Sequence, residues 1–430
     1  MTSVIEFRTL GTQVTPDDAG ARYIMRAAQV HEKNLPSRLR RSAPFALVGA
    51  TCLLFAVIAI ATAARSAPRD RVALTPPMGW NSWNHFGCNV SEALIKETAD
   101  AMVSSGMRDA GYRYVVIDDC WQVSRDPSGT IVADPQRFPH GIKALADYVH
   151  SKGLQFGIYT DAGRKTCQGR PGTLGYEDRD ARTYASWGVD YVKEDWCNAS
   201  GLVAPVQYEK FRRALDRTGR RIALSICEWG SNQPWEWAPR IGNLWRTTDD
   251  ISDNWASMLS NLDQSAQHSS VARPGAWNDP DMLEIGNGGM TPAEYRAHMS
   301  LWAVQAAPLI AGNDLRSMSA ETKEILTNAE VIAVDQDSLG AQGILVSSGP
   351  PERQVWAKPL RGGSRAVVLL NRATTPDSMT VSFARAGIRG DSATVRDLWR
   401  HAEVGRFAGN YSTVVAGHSA VMLRLSQIRR

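Results

Sequence analysis

The chain has 430 residues, 21% charged and 43% hydrophobic, a length that suits two or three ordinary domains or one barrel of about 250 residues with a smaller module. Its 48 basic against 44 acidic side chains give a formal charge of +4; no Lys/Arg run with interleaved aromatics occurs beyond the first 65 residues, which argues against a nucleic-acid partner. Only one stretch is long and apolar enough to cross a bilayer, which excludes a polytopic membrane protein.

In chain order, residues 1–42 read as a basic leader or a short cytosolic tail. Residues 43–64, APFALVGATCLLFAVIAIATAA, carry no charge and follow Lys33, Arg38, Arg40 and Arg41, the pattern of a signal-peptide apolar region or a single membrane anchor. Small residues two apart, at Ala61 and Ala63 or at Ala64 and Ser66, would suit cleavage, and a start at Met25 would shorten the leader to an ordinary length. Either reading puts the rest of the chain outside the cytosol, secreted or anchored at the cell surface, with membrane contact only through this segment if it stays uncleaved. The first 65 residues hold eight basic and four acidic side chains. They account for the whole net charge, and the remainder is balanced. Setting aside Cys52, five cysteines remain. An odd count in an exported chain predicts two disulfides and one free thiol, and without a CxxC pair or an HExxH run no metal or other cofactor is expected.

Residues 72–340 alternate short strand-like runs with amphipathic helical stretches. The strands are expected at 77–83, 114–121, 154–160, 191–197, 222–229, 244–251, 276–283 and 308–313, and helices such as 91–105, 141–152, 178–187, 208–216 and 292–307 lie between them. Eight such strands predict an α/β fold of the (β/α)8 TIM-barrel type. No G-x-G-x-x-G follows the first strand, so the dinucleotide-binding sheet finds no support. Residues 342–430 change character: 354–359, 366–371, 379–383, 394–399 and 412–425 are β-rich and bounded by Gly, Pro or Asp, which predicts a C-terminal antiparallel β-sandwich.

Acids gather where the predicted strands end, the face on which such barrels carry their active sites. Asp118 and Asp119, Asp161, Asp195, Glu228, Asp249 and Asp250, and Asp279 and Asp281 follow or end successive strands. Helix capping accounts for any one of them about as well. It leaves unexplained the tryptophans that accompany them, Trp80, Trp83, Trp121, Trp196, Trp229, Trp245 and Trp277, part of a set of fourteen. Paired carboxylates beside aromatic platforms, without metal ligands, describe glycoside hydrolysis: one acid attacks the anomeric carbon and another protonates the leaving oxygen. Strand alternation puts Lys193 and Asp195 on one face, so the ammonium is expected to lower that carboxylate's pKa and keep it ionised as the nucleophile. Arg246 and Asp250 also share a face. A neighbouring acid and partial burial would raise the pKa of Asp250 while Arg246 lowers it, and that balance stays open at this point.

The runs PPMGWNSWNHFGC (76–88), YRYVVIDDCW (112–121), ADPQRFPHGIKALADYVHSKGLQFGIYTDAG (133–163), KTCQG (165–169), WGVDYVKEDWC (187–197), SICEWG (225–230), WRTTDDI (245–251), WNDPDML (277–283) and AAPLIAGNDL (306–315) together resemble glycoside hydrolase family 27, the α-galactosidase (melibiase) type. The resemblance runs in order through the whole barrel, and the β-rich tail agrees with the family's second domain. It implies hydrolysis of terminal α-D-galactosides with retention, through a covalent glycosyl intermediate, with Asp195 as nucleophile and Asp250 as acid/base. By the same resemblance Asp118, Asp119 and Lys193 hold sugar hydroxyls, Trp83 is a stacking platform, and Tyr159, Arg246 and Asp281 complete the pocket. Disulfides are implied between Cys88 and Cys120 and between Cys167 and Cys197, which leaves Cys227 free. Bulky Cys227, Glu228 and Trp229 favour galactose over its N-acetylamino counterpart, and the pair of aspartates at 118 and 119 ranks β-L-arabinopyranosides lower. The alternatives are thus an α-N-acetylgalactosaminidase or β-L-arabinopyranosidase of the same family or, in another class, a non-catalytic surface carbohydrate-binding protein. Two departures from the family pattern, Glu194 and Asp249, add negative charge near the site.

Overall fold

The computed structural model describes residues 72–428. The reading of 1–42 as a leader and of 43–64 as a signal or anchor lies outside them. Among the described residues no helix is long and apolar enough to cross a membrane.

Eight parallel strands form the barrel: β1 (Met78–Asn81), β2 (Tyr114–Val116), β3 (Gln155–Asp161), β4 (Tyr191–Asp195), β5 (Ala223–Cys227), β6 (Leu244–Arg246), β7 (Trp277–Asp279) and β8 (Leu309–Ala311). β1 to β7 pair in sequence order, β8 pairs with β1, and a parallel bridge from Leu283, beyond β7, to Ala311 of β8 closes the ring. This is the (β/α)8 arrangement that the alternating pattern predicts. Several strands are shorter than expected: the run 114–121 yields a three-residue strand, as does 244–251. The chain leaves the ladder where aspartates capture main-chain N–H groups. Asp118 accepts from the amide of Asp119, Asp119 from that of Cys120, and Asp281 from that of Ile251, the local competition for which short acidic side chains are suited.

Helices α1 (Glu92–Ser104), α2 (Gly141–Ser151), α3 (Glu177–Trp187), α4 (Ala204–Arg217), α5 (Trp255–Ser265), α6 (Pro292–Gln305), α7 (Ala320–Leu326) and α8 (Ala329–Asp335) surround the ring. In α1 the buried positions Leu94, Ile95, Thr98, Ala99 and Met102 form one stripe, and the Ser91 hydroxyl caps the amide of Leu94. Thr291 and Glu294 form a reciprocal capping box at the start of α6. Between β5 and β6 a single turn, Pro234–Trp237, stands in for a full helix.

Side chains alternate across each strand. Tyr114, Val116, Tyr191, Ala223, Leu244 and Trp277 pack together inside the barrel, whereas Val115, Ile158, Val192, Leu224, Ile226 and Trp245 belong to the layer under the helices. On β4 the inward set continues from Tyr191 to Lys193 and Asp195.

The C-terminal part has one six-stranded antiparallel sheet, in the order β9 (Ile344–Leu345), β10 (Arg353–Pro359), β11 (Arg365–Asn371), β16 (Ser419–Gln427), β13 (Ser392–Asp397) and β14 (Ala402–Ala408). A two-stranded sheet pairs β12 (Asp377–Ser382) with β15 (Asn410–Val415). β11 shows how the large sheet serves two cores. Val367 and Leu369 pack with Met379, Val381 and Val415 of the small sheet, while Ala366, Val368 and Leu370 join Leu301, Trp302 and Val304 of α6 in the main core. The strand expected at 412–425 is two strands separated by a turn in which His418 has φ 46°, and β14 was not expected at all.

Candidate active site

At the carboxyl end of the barrel a cavity of about 610 Å³ is lined by Trp83, Asp118, Asp119, Tyr159, Lys193, Asp195, Trp229, Arg246, Asp250 and Asp281, among others. Ten of the twelve catalytic and sugar-binding candidates from the sequence therefore meet on one surface. The other two, Cys227 and Glu228, do not line it. The Cys227 thiol sits below the floor, 3.7 Å from Arg246 Nη1. The Glu228 carboxylate turns away to accept from the backbone and side-chain amides of Asn232, at 2.6 and 2.7 Å.

Strand register builds the floor. Tyr159 lies opposite Lys193, which lies opposite Ser225; one step further, Asp161, Asp195 and Cys227 are in register. Lys193 Nζ donates to Asp118 Oδ2 at 2.9 Å, and Asn81 Nδ2 donates to the same oxygen at 2.7 Å. Tyr159 donates its hydroxyl to Asp195 Oδ2 at 3.0 Å, and the amide of Trp196 donates to Asp195 Oδ1 at 2.9 Å. Across the cavity Arg246 pairs with Asp281 at 3.0 Å and with Asp250 at 2.9 Å. Two disulfides brace the rim. Cys88–Cys120 ties the loop after β1 to the end of β2, Cys167–Cys197 ties the loop after β3 to the end of β4, and Cys227 is free and buried.

The electrostatics correct one expectation. Burial pushes the Asp195 carboxyl up to about 6, outweighing the Lys193 ammonium. Lys193 does not hold Asp195 below the ordinary range because its direct partner is Asp118, and the desolvation of a carboxylate that is 5% exposed costs more than a cation one residue pair away returns. Asp250 goes the other way. Its surroundings push its carboxyl up, but Arg246 and Lys193 together reverse this and hold it below its usual value. Its side chain remains 67% exposed at the cavity mouth. Asp161, buried and near Asp195, is pushed up to about 8. Asp161 and Asp195 lie close to Cys167 and Cys197 in a cluster of metal-ligand type, but the disulfide consumes both thiols.

Glu194 points outward from the barrel, buried between β4 and the helices, where burial and then Asp161 and Glu177 raise its pKa while Arg212 opposes them. Asp249 is exposed and does not line the cavity.

Several contributors escaped sequence reasoning. Asn81 shares Asp118 with Lys193; Asn84, Glu284 and Asn287 form a hydrogen-bonded wall of the cavity. Burial pushes Glu284 up to about 7. The asparagines of the run 80–84 and the acid directly after 277–283 were the available signals. Three residues at the rim, Cys120, Trp229 and Asp281, have left-handed backbone, with φ of 78°, 58° and 84°. Such conformations cost energy and cluster at working sites.

Known proteins resemble this chain over most of its length. The family model described as Alpha galactosidase A matches residues 75–337, and that of the Alpha galactosidase C-terminal beta sandwich domain matches 351–425. An α-galactosidase of Oryza sativa subsp. japonica is 52% identical over 367 residues, covering 85% of this chain and 88% of its own. A probable α-galactosidase of Dictyostelium discoideum is 50% identical over 377 residues, covering 87% and 97%. The crystal structure of α-galactosidase I from Mortierella vinacea has a TM-score of 0.81 at 40% identity, covering 83% of this chain and 98% of that one.

Proposed function

The chain belongs to the α-galactosidase (melibiase) family, glycoside hydrolase family 27, and from that premise we propose how its residues divide the work. It is a glycoside hydrolase that removes terminal α-D-galactosyl residues with retention, through a covalent glycosyl-enzyme intermediate. The observation that carries the division of roles is that Asp195 and Asp250 line one cavity in opposite settings, one buried on a strand and the other at the open mouth.

Asp195 is the nucleophile. Tyr159 and the Trp196 amide fix its two oxygens, so one carboxylate orientation faces the sugar. Asp250 is the acid/base. In the free site Arg246 keeps it ionised, and a substrate that fills the mouth displaces the water around its exposed carboxylate, which favours the protonated form needed to donate to the leaving oxygen. Attack by Asp195 on the anomeric carbon breaks the bond to that oxygen as Asp250 protonates it. Asp250 then takes a proton from the water that releases the sugar. Asp118, Asp119, Lys193, Arg246 and Asp281 supply charged partners for the hydroxyls, and Trp83 offers an apolar face. Of the three bulky residues 227–229, which end β5 and begin the loop beyond it, Trp229 alone stands in the cavity wall, and it limits the space for a 2-N-acetyl group. Following the anomeric configuration of galactose by NMR, over a panel of α-galactosides, N-acetylgalactosaminides and β-L-arabinopyranosides, tests this. First-formed α-galactose from the first group is expected; first-formed β-galactose would refute the double displacement.

The same reading makes the protein an exported one. Two disulfides suit an oxidising compartment, and the apolar run 43–64 suits an export segment or anchor. Cell fractionation with N-terminal sequencing of the mature chain checks it; a cytosolic protein retaining residue 1 would count against export.

A further inference from the structure

The charge balance of the chain beyond residue 65 conceals a split. Residues 66–341 hold 27 basic and 35 acidic side chains, whereas 342–430 hold 13 basic and 5 acidic ones, and twelve of those thirteen are arginines. The two parts thus carry formal charges of −8 and +8. Such a division bears on what each part attracts and not on its fold. Arginine in particular presents a planar fork of donors that matches the oxygens of a carboxylate, sulfate or phosphate.

The C-terminal part also carries a cleft of about 370 Å³ between the segment 346–350, the start of β10 and the strand β12. That volume lies in the range of small-molecule sites. Arg353 and Arg385 line it, and among the described residues no acidic side chain does. Arg353 is paired with Asp377. Arg385 has no carboxylate partner among the described residues, and its Nη1 donates to the Ser348 hydroxyl at 2.5 Å. The catalytic cavity is built the other way, with six aspartates and Glu284 on its surface.

Local order supplies the rest of the lining. In β12 Met379 and Val381 belong to the sandwich core, which leaves Ser378, Thr380 and Ser382 on the opposite face. Three hydroxyls therefore stand in a row, roughly 7 Å apart, and Val355 and Met379 add apolar surface beside them. Thr380 is held by a hydrogen bond to Ser412 on β15 at 2.8 Å. The facing segment is stiffened by Pro350 and Pro351; the Arg353 amide donates to the Pro350 carbonyl at 2.9 Å, and the Ser347 hydroxyl accepts from the Val355 amide at 3.1 Å. Hydroxyls and an unpaired guanidinium around a small apolar surface suit a ligand that combines hydroxyls, apolar ring faces and an anionic group.

We infer that this cleft binds an acidic glycan, a sugar chain bearing carboxylate or sulfate, with Arg385 on the anionic group and the β12 hydroxyls on those of the sugar. The function is separate from hydrolysis. The acids of the catalytic cavity repel such a ligand while the C-terminal part draws it, so an enzyme bound to an acidic polymer keeps that cavity for neutral galactosides.

Isothermal titration of the full chain with dextran sulfate, neutral dextran and poly-L-glutamate, at one ionic strength, tests this. Dextran sulfate is expected to bind at least about tenfold more tightly than either of the others. Arg385→Gln should weaken its binding by about fivefold or more, whereas Arg221→Gln, which removes one charge from an exposed position on the barrel, should change it less than about twofold. Thr380→Val keeps the strand and loses the hydroxyl; a loss of about two- to fivefold is expected, which covers the case in which the arginine variant disturbs the segment after β12. In all three variants kcat/KM for nitrophenyl α-galactoside should stay within about twofold of the parent. Equally tight binding of neutral dextran or of poly-L-glutamate would overturn the site, the latter by showing general attraction to a basic domain. Equal losses from Arg385→Gln and Arg221→Gln, or no binding of dextran sulfate, would overturn it too.

Discussion

At the barrel rim Lys193 meets Asp118 and Arg246 meets Asp281, each pair almost enclosed by protein yet facing a cavity. In the seam between α6, α8 and the C-terminal sheet, Lys358 is fully buried too, but it donates to the main-chain carbonyls of Ala303 and Asp335, at 3.1 and 3.3 Å, among apolar side chains. Burial there pushes Asp335 up to about 8 and Lys358 down to about 8, each toward its neutral form. At the rim Lys193 stays firmly charged, because Asp118 overcomes the effect of burial. Buried charge alone therefore does not mark a site. What marks it is opposite charges fixed against one another on the wall of an open cavity.

The sharpest way to break this contrast is at the two acids. Asp195→Asn should lower kcat by about 10⁴-fold or more, as removal of a covalent nucleophile does, and Asp250→Asn by about 10²- to 10⁴-fold. Steady-state kinetics on an α-galactoside checks both, and comparable activity in Asp195→Asn and the parent would end the assignment. Next in size, Lys193→Met strands the buried Asp118 carboxylate and is expected to cost about 3–5 kcal/mol of stability along with activity; denaturant unfolding measures it.

The raised carboxyl of Asp195 makes a further prediction, with an opposite sign for stability and function. Its folded value, about 6, lies above the ordinary 3.8, so the folded protein holds that proton more tightly than the unfolded chain. The resulting destabilisation is absent below about pH 4, grows between pH 4 and 6 and is complete above, where it amounts to about 3 kcal/mol. Asp195→Asn should therefore unfold at a higher temperature than the parent above pH 6, with the gap closing toward pH 4. Since the nucleophile must be ionised, kcat/KM of the parent should fall as pH drops below about 6. A pH–rate profile and thermal melts across the same range check the pair. Smallest of all, the double change Lys358→Met with Asp335→Asn in the seam should leave kcat unaltered and stability unchanged or raised by about 1–4 kcal/mol. A loss of activity there would blur the distinction between the two regions.

The sequence was informative where chemistry follows local order. Periodicity located eight strands, and acids at their ends marked the working face, because in a barrel the end of each strand is brought to the same rim by closure alone. It was less informative where partners come from afar. Lys193 looked like the neighbour of Asp195, yet its ammonium reaches Asp118, 75 residues away; alternation gives the face of a side chain and not its direction across the barrel. The disposition of the loop after β5 was hidden for a similar reason. Trp229 adopts φ 58°, and this turn sends Trp229 into the cavity while Glu228 bonds back to Asn232. In the C-terminal sheet, β14 escaped because most of its side chains are exposed and Gly405 interrupts them, so no alternation of apolar residues announces a strand.

The central claim is that Asp195 forms the bond to the sugar. A fluorinated galactosyl fluoride that forms the intermediate faster than it breaks down, followed by proteolysis and mass spectrometry, tests it directly. The adduct should sit on Asp195, in the peptide containing the run YVKED; an adduct on Asp249 or Asp250, or its absence from an enzyme that the reagent inactivates, would contradict it.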